Sequence, residues 1–426
     1  MTSAHCATLP LADPEACAMA KLAALPPPPT ETALVDLAFA QLQPLTHQLA
    51  PHYATLRTIP NRRALTRHPL YPQLQAELTK LENTVERGEP KAPSPSTNTG
   101  FCRVVAWNIQ RGTQLPLLLE HLQNNATLKT ADVLLLSEVD SGMARSGNHP
   151  VARELAAALG MHFAFGISYL VLGDDFLENP EQRENTDALA GAAILSRWPL
   201  GIVENIDLPE LRDKFSSKKE KRLGKKRALL AEIKLPEGSL WCSTCHLDSN
   251  ASPQQRAAQL AALLQRASAL APTRFLLGGD LNTSTYDLSG KLPLVRDLLH
   301  KFFIKGFDAT VAGYMTPQQS YEQPVFATLA QFQLQTDGFN RLDLGTYTYD
   351  VQSPFAIAKL HPQVGKSMTR WLQRRLRRWN GRVPARLDWF AGRGLTPLAA
   401  TVVPVHEATD TAPASDHAAI VVDIQR

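Results

Sequence analysis

From residue 101 onward the chain is a succession of short apolar runs, each bounded by polar residues or glycine and alternating with helical patterns. No other feature restricts the fold as strongly. "CRVVAW" (102–107), "DVLLLSEV", "MHFAFG", "GAAILSR", "RALLAEIKL", "SLWCSTCHL", "RFLLGGDL", "ARLDWFAG" and "AAIVVDI" have the length and composition of buried strands. "LPLLLEHLQ", "PVARELAAAL" and "SPQQRAAQLAALLQRASAL" have the period of helices. The last of these carries a start signal, with Ser252 as N-cap, Pro253 at N1 and Gln255 at N3. Strands interleaved with helices predict an α/β or α+β protein with a buried sheet core.

The first 98 residues read differently. Residues 1–30 are rich in alanine and proline, end in "PPPP" and are expected to be disordered. One helix is predicted near 31–43, stopped by Pro44. A second is predicted near 73–87, where Leu74, Leu78, Leu81 and Val85 share a face. "GEPKAPSPSTNTG" (88–100) reads as a linker, so the boundary falls near residue 98. This divides the chain into an N-terminal extension, 1–98, and a main domain, 99–426.

With 44% hydrophobic and 20% charged residues over 426 positions, the chain has material for a large core. No apolar run reaches the ~18 residues of a membrane span. Asp13 and Glu15 stand where a signal peptide needs its apolar stretch. Five cysteines are few and odd in number, which fits a reduced, cytoplasmic protein. A monomer is expected.

Charge is local. Residues 214–227, "KFSSKKEKRLGKKR", hold eight basic residues and one acidic; residues 370–386, "RWLQRRLRRWNGRVPAR", hold seven basic and none acidic. The rest of the chain carries 29 basic against 39 acidic residues, so two basic surfaces sit on an acidic body. Within a basic insertion near 351–386, Met368, Trp371, Leu372, Leu376 and Trp379 form one helical face, with arginines opposite. Such a helix suits nucleic acid, an anionic membrane contacted through 368–379, or the protein's own core. Arg374 and Arg377 are candidate polyanion contacts.

Several predicted strands finish in a polar residue that a core strand does not require. These are Asn108, Glu138, His246, Asp280 with Asn282, Asp388, and Asp416 with His417. Polar ends of adjacent strands converge on one rim of a sheet, where ligands of open sheets bind. A carboxylate such as Glu138 beside an amide such as Asn108 suits Mg²⁺, which takes few carboxylates and keeps water. Histidine beside a carboxylate suits general-base work on water. "CSTCH" (242–246) also fits a haem attachment sequence, half of a zinc site, or a redox dithiol. Against these, no second Cys or His pair lies at ligand spacing, and a strand aims Cys242 and Cys245 at opposite faces. No haem is expected, and His246 is the functional residue of that stretch.

"AWNIQRG", "LLSEVD", "GAAILSRWPL", "TCHLD", "GGDLN", "RLDWF" and "ASDHAA" occur in the order found in the endonuclease/exonuclease/phosphatase superfamily, whose deoxyribonuclease-I-like fold the chain resembles from about residue 100 to the end. The resemblance implies a four-layered sandwich of two mixed sheets flanked by helices, here with an N-terminal helical extension. It implies hydrolysis of a phosphodiester by in-line attack of water with Mg²⁺, or Mn²⁺ in its place. Asn108 and Glu138 would hold the metal, and Asp416 would approach the metal or its water shell. Asp280 and Asn282 would bind phosphate and position the water. His246 would stabilise the transition state, and His417 would be the base, oriented by Asp388. Arg111 would contact phosphate. Nucleic acid is the favoured substrate. A phosphoinositide or sphingolipid headgroup, or an idle member that only binds nucleic acid or membrane, are the alternatives. Gln110 and Ala192 depart from the family pattern, and Tyr169 is only a loose candidate for the site tyrosine of some nucleases.

Cys242→Ser and Cys245→Ser should leave phosphoesterase activity within a few-fold, while His246→Ala should not. A haem absorption band, or stoichiometric zinc that disappears with either cysteine, would overturn that assignment.

Overall fold

The computed structural model describes residues 35–173, 183–216, 220–283, 296–297, 300–350, 357, 366–405 and 413–426. The proline-rich 1–30 stretch, with Cys6 and Cys17, lies outside them, as does much of 351–365. One sheet contains β1 (Phe39–Gln43), β2 (Glu86–Pro90), β3 (Phe101–Arg111), β4 (Val133–Ser141), β5 (His162–Val171), β6 (Leu189–Ser196), β8 (Arg222–Gly224), β15 (Pro397–Val403) and β16 (Ala419–Gln425). Their order is β1-β2-β5-β6-β4-β3-β16-β15, with β8 beside β5. The second sheet contains β7 (Leu200–Asp207), β9 (Arg227–Leu235), β10 (Gly238–His246), β11 (Phe275–Asp280) and β14 (Asp388–Arg393), in the order β14-β11-β10-β9-β7. Both sheets are mixed: β3 and β4 run parallel, as do β10 and β11, among antiparallel neighbours.

Period-2 alternation sorts the strand residues into separate cores. Val104 and Ala106 of β3 face the space between the sheets, with Leu135, Ile194, Leu229, Ala231, Cys242, Leu276 and Phe390. Val105 and Trp107, one residue out of phase, pack on the outer helices of the first sheet. These helices include α1 (Tyr71–Glu82), α2 (Leu115–Asn124) and α3 (Val151–Leu159). The outer face of the second sheet is covered by α4 (Pro253–Ala269) and α5 (Gln323–Gln331), through Leu260, Leu263, Val325 and Leu329. The result is the four-layered α/β/β/α sandwich. Each fully buried Leu, Val or Phe contributes about 1.5–3 kcal/mol to these interfaces. α4 begins as its sequence predicts, with a reciprocal capping box between Ser252 and Gln255.

The N-terminal region differs from the sequence reading. Residues 39–43, expected to be helical, form β1, and Glu86–Pro90, expected at a helix end and linker, form β2. β1 pairs with β2, and β2 pairs with β5 through Glu86↔Phe165 and Gly88↔Phe163. Pairing with distant residues overrides the local helical period. Gly88 has no side chain, which lets the rings of Phe163 and Phe39 close over its backbone. Glu86 is buried and accepts from Arg153 of α3 at 2.8 Å. Leu49, Leu56, Leu65 and Leu74 join the same core as Trp107 and Phe163. No break near residue 98 therefore separates two cores.

An insertion separates α5 from β14. It holds the ribbon β12 (Tyr347–Asp350) and β13 (Arg382–Ala385), α6 (Lys366–Arg375), and a 3₁₀ turn over Leu376–Trp379. The single amphipathic helix predicted here is thus α-helical and then 3₁₀. Leu376 is buried with Val311, Tyr314, Val383 and Ala385, and Phe307 and Trp379 pack against them. Of the apolar face predicted over 368–379, Leu376 is buried, and Trp371, Leu372 and Trp379 are half-buried.

α4 and α5 are joined by a fully buried ion pair, Arg256 with Glu322, in which Arg256 Nε donates at 3.1 Å. Arg256→Ala would strand a buried carboxylate and should lower unfolding free energy by about 3–5 kcal/mol. Arg256→Met with Glu322→Leu should cost clearly less, as read by denaturant unfolding. Equal losses for the two variants would contradict the ion-pair account.

Candidate active site

The two sheets meet at one rim, and each presents a row of polar side chains there. On the second sheet the row crosses three neighbouring strands: His246 lies opposite Asp280, and Asp280 opposite Asp388. On the first sheet it comprises Asn108 at the end of β3, Glu138 near the end of β4, and His417 just before β16. The sequence pattern makes Asp388 and His417 the ends of strands, whereas in the structure they begin or precede theirs. β14 runs antiparallel to β11 and β16 antiparallel to β3, so their beginnings reach the rim where β11 and β3 end.

The rows join across the gap. His417 Nδ1 is 2.8 Å from Asp388 Oδ2, and its Nε2 lies 3.8 Å from Asp280 Oδ2. The Asn108 amide donates to Glu138 at 3.3 Å and to Asp280 at 3.2 Å, tying the two carboxylates together. His246 Nε2 stands 3.8 Å from Glu138 and 3.6 Å from Asp280. Asn282 donates its side-chain amide to the Leu247 carbonyl at 2.9 Å, and its backbone N–H to Asp280 at 2.8 Å. Arg111 Nε approaches Glu138 at 3.7 Å.

Local structure holds these groups. Trp107 donates its indole N–H to the His417 carbonyl at 2.9 Å, and Ser415 donates its hydroxyl to the Asn108 carbonyl at 2.6 Å. Gln110 accepts the Asp416 N–H at 3.1 Å, which places half-buried Asp416 at the rim beside His417. Glu138 sits at a register shift between Ser137 and Val139, with φ +51°. Gln110, Arg111 and Asn282 also have positive φ, at +46°, +68° and +47°. Four of the nine such non-glycine residues among those described are therefore at this rim. Each costs about 1–3 kcal/mol, and the hydrogen bonds just described hold them in place.

Electrostatics divides the groups. Burial would raise the Glu138 carboxyl, but Arg111, His246, His417 and Lys226 together hold it far below the usual range. Burial pushes Asp280 up to about 7, with Asp388 adding to the rise. Burial, with the nearby charge of Lys226, drives His246 well below the ordinary imidazole range. Burial acts the same way on His417, but Asp388, Asp280 and Asp416 outweigh it and raise that ring well above the range. Two histidines on one rim are thus pushed in opposite directions.

Two further residues lie near the site, and no strand-end signal in the sequence places them there. The Tyr347 ring of β12 packs 5.0 Å from the His417 ring, and a backbone bridge pairs the two residues. Lys226, at the entry to β9, lies within electrostatic range of Glu138, Asp280 and Asp248; burial pulls its amine down to about 8. Neither ends an apolar strand run, and Lys226 sits inside a charged stretch with the pattern of a loop. Tyr169 instead packs its ring 5.1 Å from Lys214 and 5.3 Å from Arg222. Arg374 and Arg377 lie on the insertion and contact none of the rim side chains among the described residues. Cys242 faces the inter-sheet core and Cys245 the helix side, both buried, as strand alternation predicts.

A model of the Endonuclease/Exonuclease/phosphatase family matches residues 105–417. The chain belongs to that family. Its members are hydrolases of phosphoester bonds, and the chain is a phosphoesterase of this class. Similar solved structures include an endonuclease/exonuclease/phosphatase from Beutenbergia cavernae DSM 12333, with 17% identity, 77% of this chain and 72% of that one covered, and a TM-score of 0.47. The human Nocturnin catalytic domain with bound sulfate has 16% identity, coverage of 78% and 95%, and a TM-score of 0.42. A 3'-5' exonuclease from Neisseria Meningitidis has 17% identity, coverage of 76% and 100%, and a TM-score of 0.43. No curated protein matches the chain significantly.

The family is divalent-metal dependent, and the donor set suits a hard cation. Asp280, Asp388 and His417 bring three donor atoms within 4.8 Å of one another, but His417 Nδ1 and Asp388 are already hydrogen-bonded to each other. Glu138, held far below the usual carboxylate range, meets Asn108, Arg111 and His246 at 3.3–3.8 Å, longer than the 2.8 Å bond of Asp388 to His417, which favours it as an oxygen donor. Glu138→Gln should weaken Mg²⁺ binding at least tenfold by calorimetry. An unchanged binding isotherm would remove Glu138 from the metal site.

Proposed function

We propose that this phosphoesterase hydrolyses a phosphodiester of nucleic acid by direct attack of water. The observation that carries the reading is the His417–Asp388 hydrogen bond of 2.8 Å, facing Asp280 and Glu138 across the rim. Asp388 holds the Nδ1–H of His417, which leaves Nε2 to take the proton from the attacking water. Asp280 and Asn282, fixed to each other and to the Leu247 carbonyl, position that water and the phosphate. His246 turns a ring N–H toward the charge that develops on the phosphoryl oxygens. Glu138 and Asn108, with Asp416 nearby, would hold Mg²⁺ or Mn²⁺. Such an ion would neutralise phosphate charge, steady the leaving oxygen and lower the proton affinity of His417.

Nucleic acid is favoured over a lipid headgroup because cations extend from the rim to the insertion. Arg111 and Lys226 lie at the site, and the insertion adds further arginines. A polymer of phosphates occupies such a spread of charge, whereas a single headgroup does not.

The test is a panel of plasmid DNA, oligonucleotides, sphingomyelin, phosphoinositides and bis-p-nitrophenyl phosphate, with Mg²⁺ and with EDTA. Nucleic acid should be cleaved only with the metal. His417→Ala should lower kcat by about 10²–10⁴, the usual loss for a general base, and Asp388→Asn by less. Cleavage of sphingomyelin or a phosphoinositide in preference to DNA would overturn the substrate. Near-full activity of His417→Ala would overturn the base.

A further inference from the structure

A cavity of about 340 Å³ opens on the insertion, lined by Phe307, Asp308, Arg374, Arg375, Arg377 and Arg378. We propose that it is a second anion site, which holds the phosphate backbone of a nucleic-acid strand away from the scissile bond. This rests on the nucleic-acid reading above.

Four guanidinium groups meet one carboxylate there, and Asp308 is paired with Arg378. Three positive charges are left in excess. Among the other exposed arginines, Arg341 and Arg266 have acidic partners, Asp343 and Glu204, each at 2.6 Å, while Arg63 and Arg67 have none among the described residues. Arg374 and Arg377 are exposed and have no such partner among the described residues. Arg374 and Arg377 differ from other unpaired arginines in sharing one cavity with two further guanidiniums and a single carboxylate, a concentration of positive charge that attracts an external anion.

Aromatic rings fix part of the cluster. Arg378 lies 3.8 Å over the Trp379 ring, and Arg375 lies 5.7 Å from Trp371 and 6.0 Å from Phe307. Phe307 meets Trp371 edge-on at 5.8 Å. Stacked guanidiniums are held in planar orientation, so less rotamer entropy is lost when they bind phosphate. Leu376 and Trp379 of the same segment pack into the protein, while Arg374, Arg375, Arg377 and Arg378 are exposed.

The ribbon links this cavity to the reacting centre. β13 follows the arginine turn, with Arg382 opposite Asp350 at one end and Ala385 opposite Tyr347 at the other. That distance is roughly 10 Å, three steps of extended chain. Tyr347 then contacts His417. A strand of several nucleotides reaches both places, and a lone phosphate reaches one.

The experiment measures binding of a fluorescent single-stranded DNA oligomer of about 20 nucleotides, longer than one typical single-strand footprint, to the full chain. Arg374→Glu with Arg377→Glu should weaken binding at least tenfold at low salt. The dependence of log affinity on log salt should become shallower by about 1.4, since each phosphate neutralised on a single strand accounts for about 0.7 of the slope. Arg266→Glu, on the far helix, should change neither, and melting curves establish that the variants fold. Unchanged affinity and slope in the double variant, or no oligomer binding by the parent protein, overturns the site. So does arginine-dependent binding to phosphatidylserine vesicles with none to DNA. If the parent protein binds DNA through these arginines but cleaves no nucleic acid, the anion site stands and the hydrolytic reading falls.

Discussion

The hydrogen bond between His417 and Asp388 closes the gap between two sheets. His417 belongs to the first sheet through β16, and Asp388 opens β14 of the second. The Asn108–Asp280 hydrogen bond and the loop residue Thr346 cross the same gap, and the relative setting of the sheets determines whether the pair forms. The inter-sheet core of Ala106, Leu135, Cys242, Leu276 and Phe390 fixes the setting. Close packing transmits small shifts, so a core residue some distance below the rim helps to set the geometry of the pair. Thr346 strengthens the junction: its hydroxyl accepts the N–H groups of Leu387 and Asp388 at 3.0 and 3.1 Å, and its carbonyl accepts from Ala418.

Departures from regular strand geometry are concentrated on the chemically important residues. Glu138 occupies the register shift of β4, and Asn282 takes positive φ just beyond β11. A regular strand would direct successive side chains to alternate faces. The bulge re-aims the carboxylate instead, bringing it to the amide of Asn108. Stability is given up locally so that acids from different strands can share one small volume.

How much of this is legible in the sequence depends on the range of each interaction. Strand periods separate Cys242 from Cys245 and place His246 and Asp280 at the rim, because alternation is local. The direction of β14 and β16 is not legible, since strand polarity is set by partners far along the chain. β1 and β2 escape the sequence reading for the same reason: Gly88 acquires its meaning only beside Phe163. Tyr347 carries no local mark of its proximity to His417. It arrives there through the ribbon of an insertion, which no period or strand end announces.

The N-terminal strands also bear on where the protein can be divided. The segment that matches the family begins inside β3 and ends at His417, before β16. Cutting to those limits would delete the strand that lies between β3 and β15. It would also strip β1 and β2 from β5, all ten of whose residues are buried. An uncovered β5 edge with Phe163 and Phe165 exposed is a template for aggregation. In the intact chain the sheet ends instead at β1, which is short, interrupted in register between Phe39 and Gln41, and largely exposed at Ala40, Gln41 and Gln43. The leading strands therefore act as a border that protects colloidal stability, and the span that matches the family is smaller than the unit that folds.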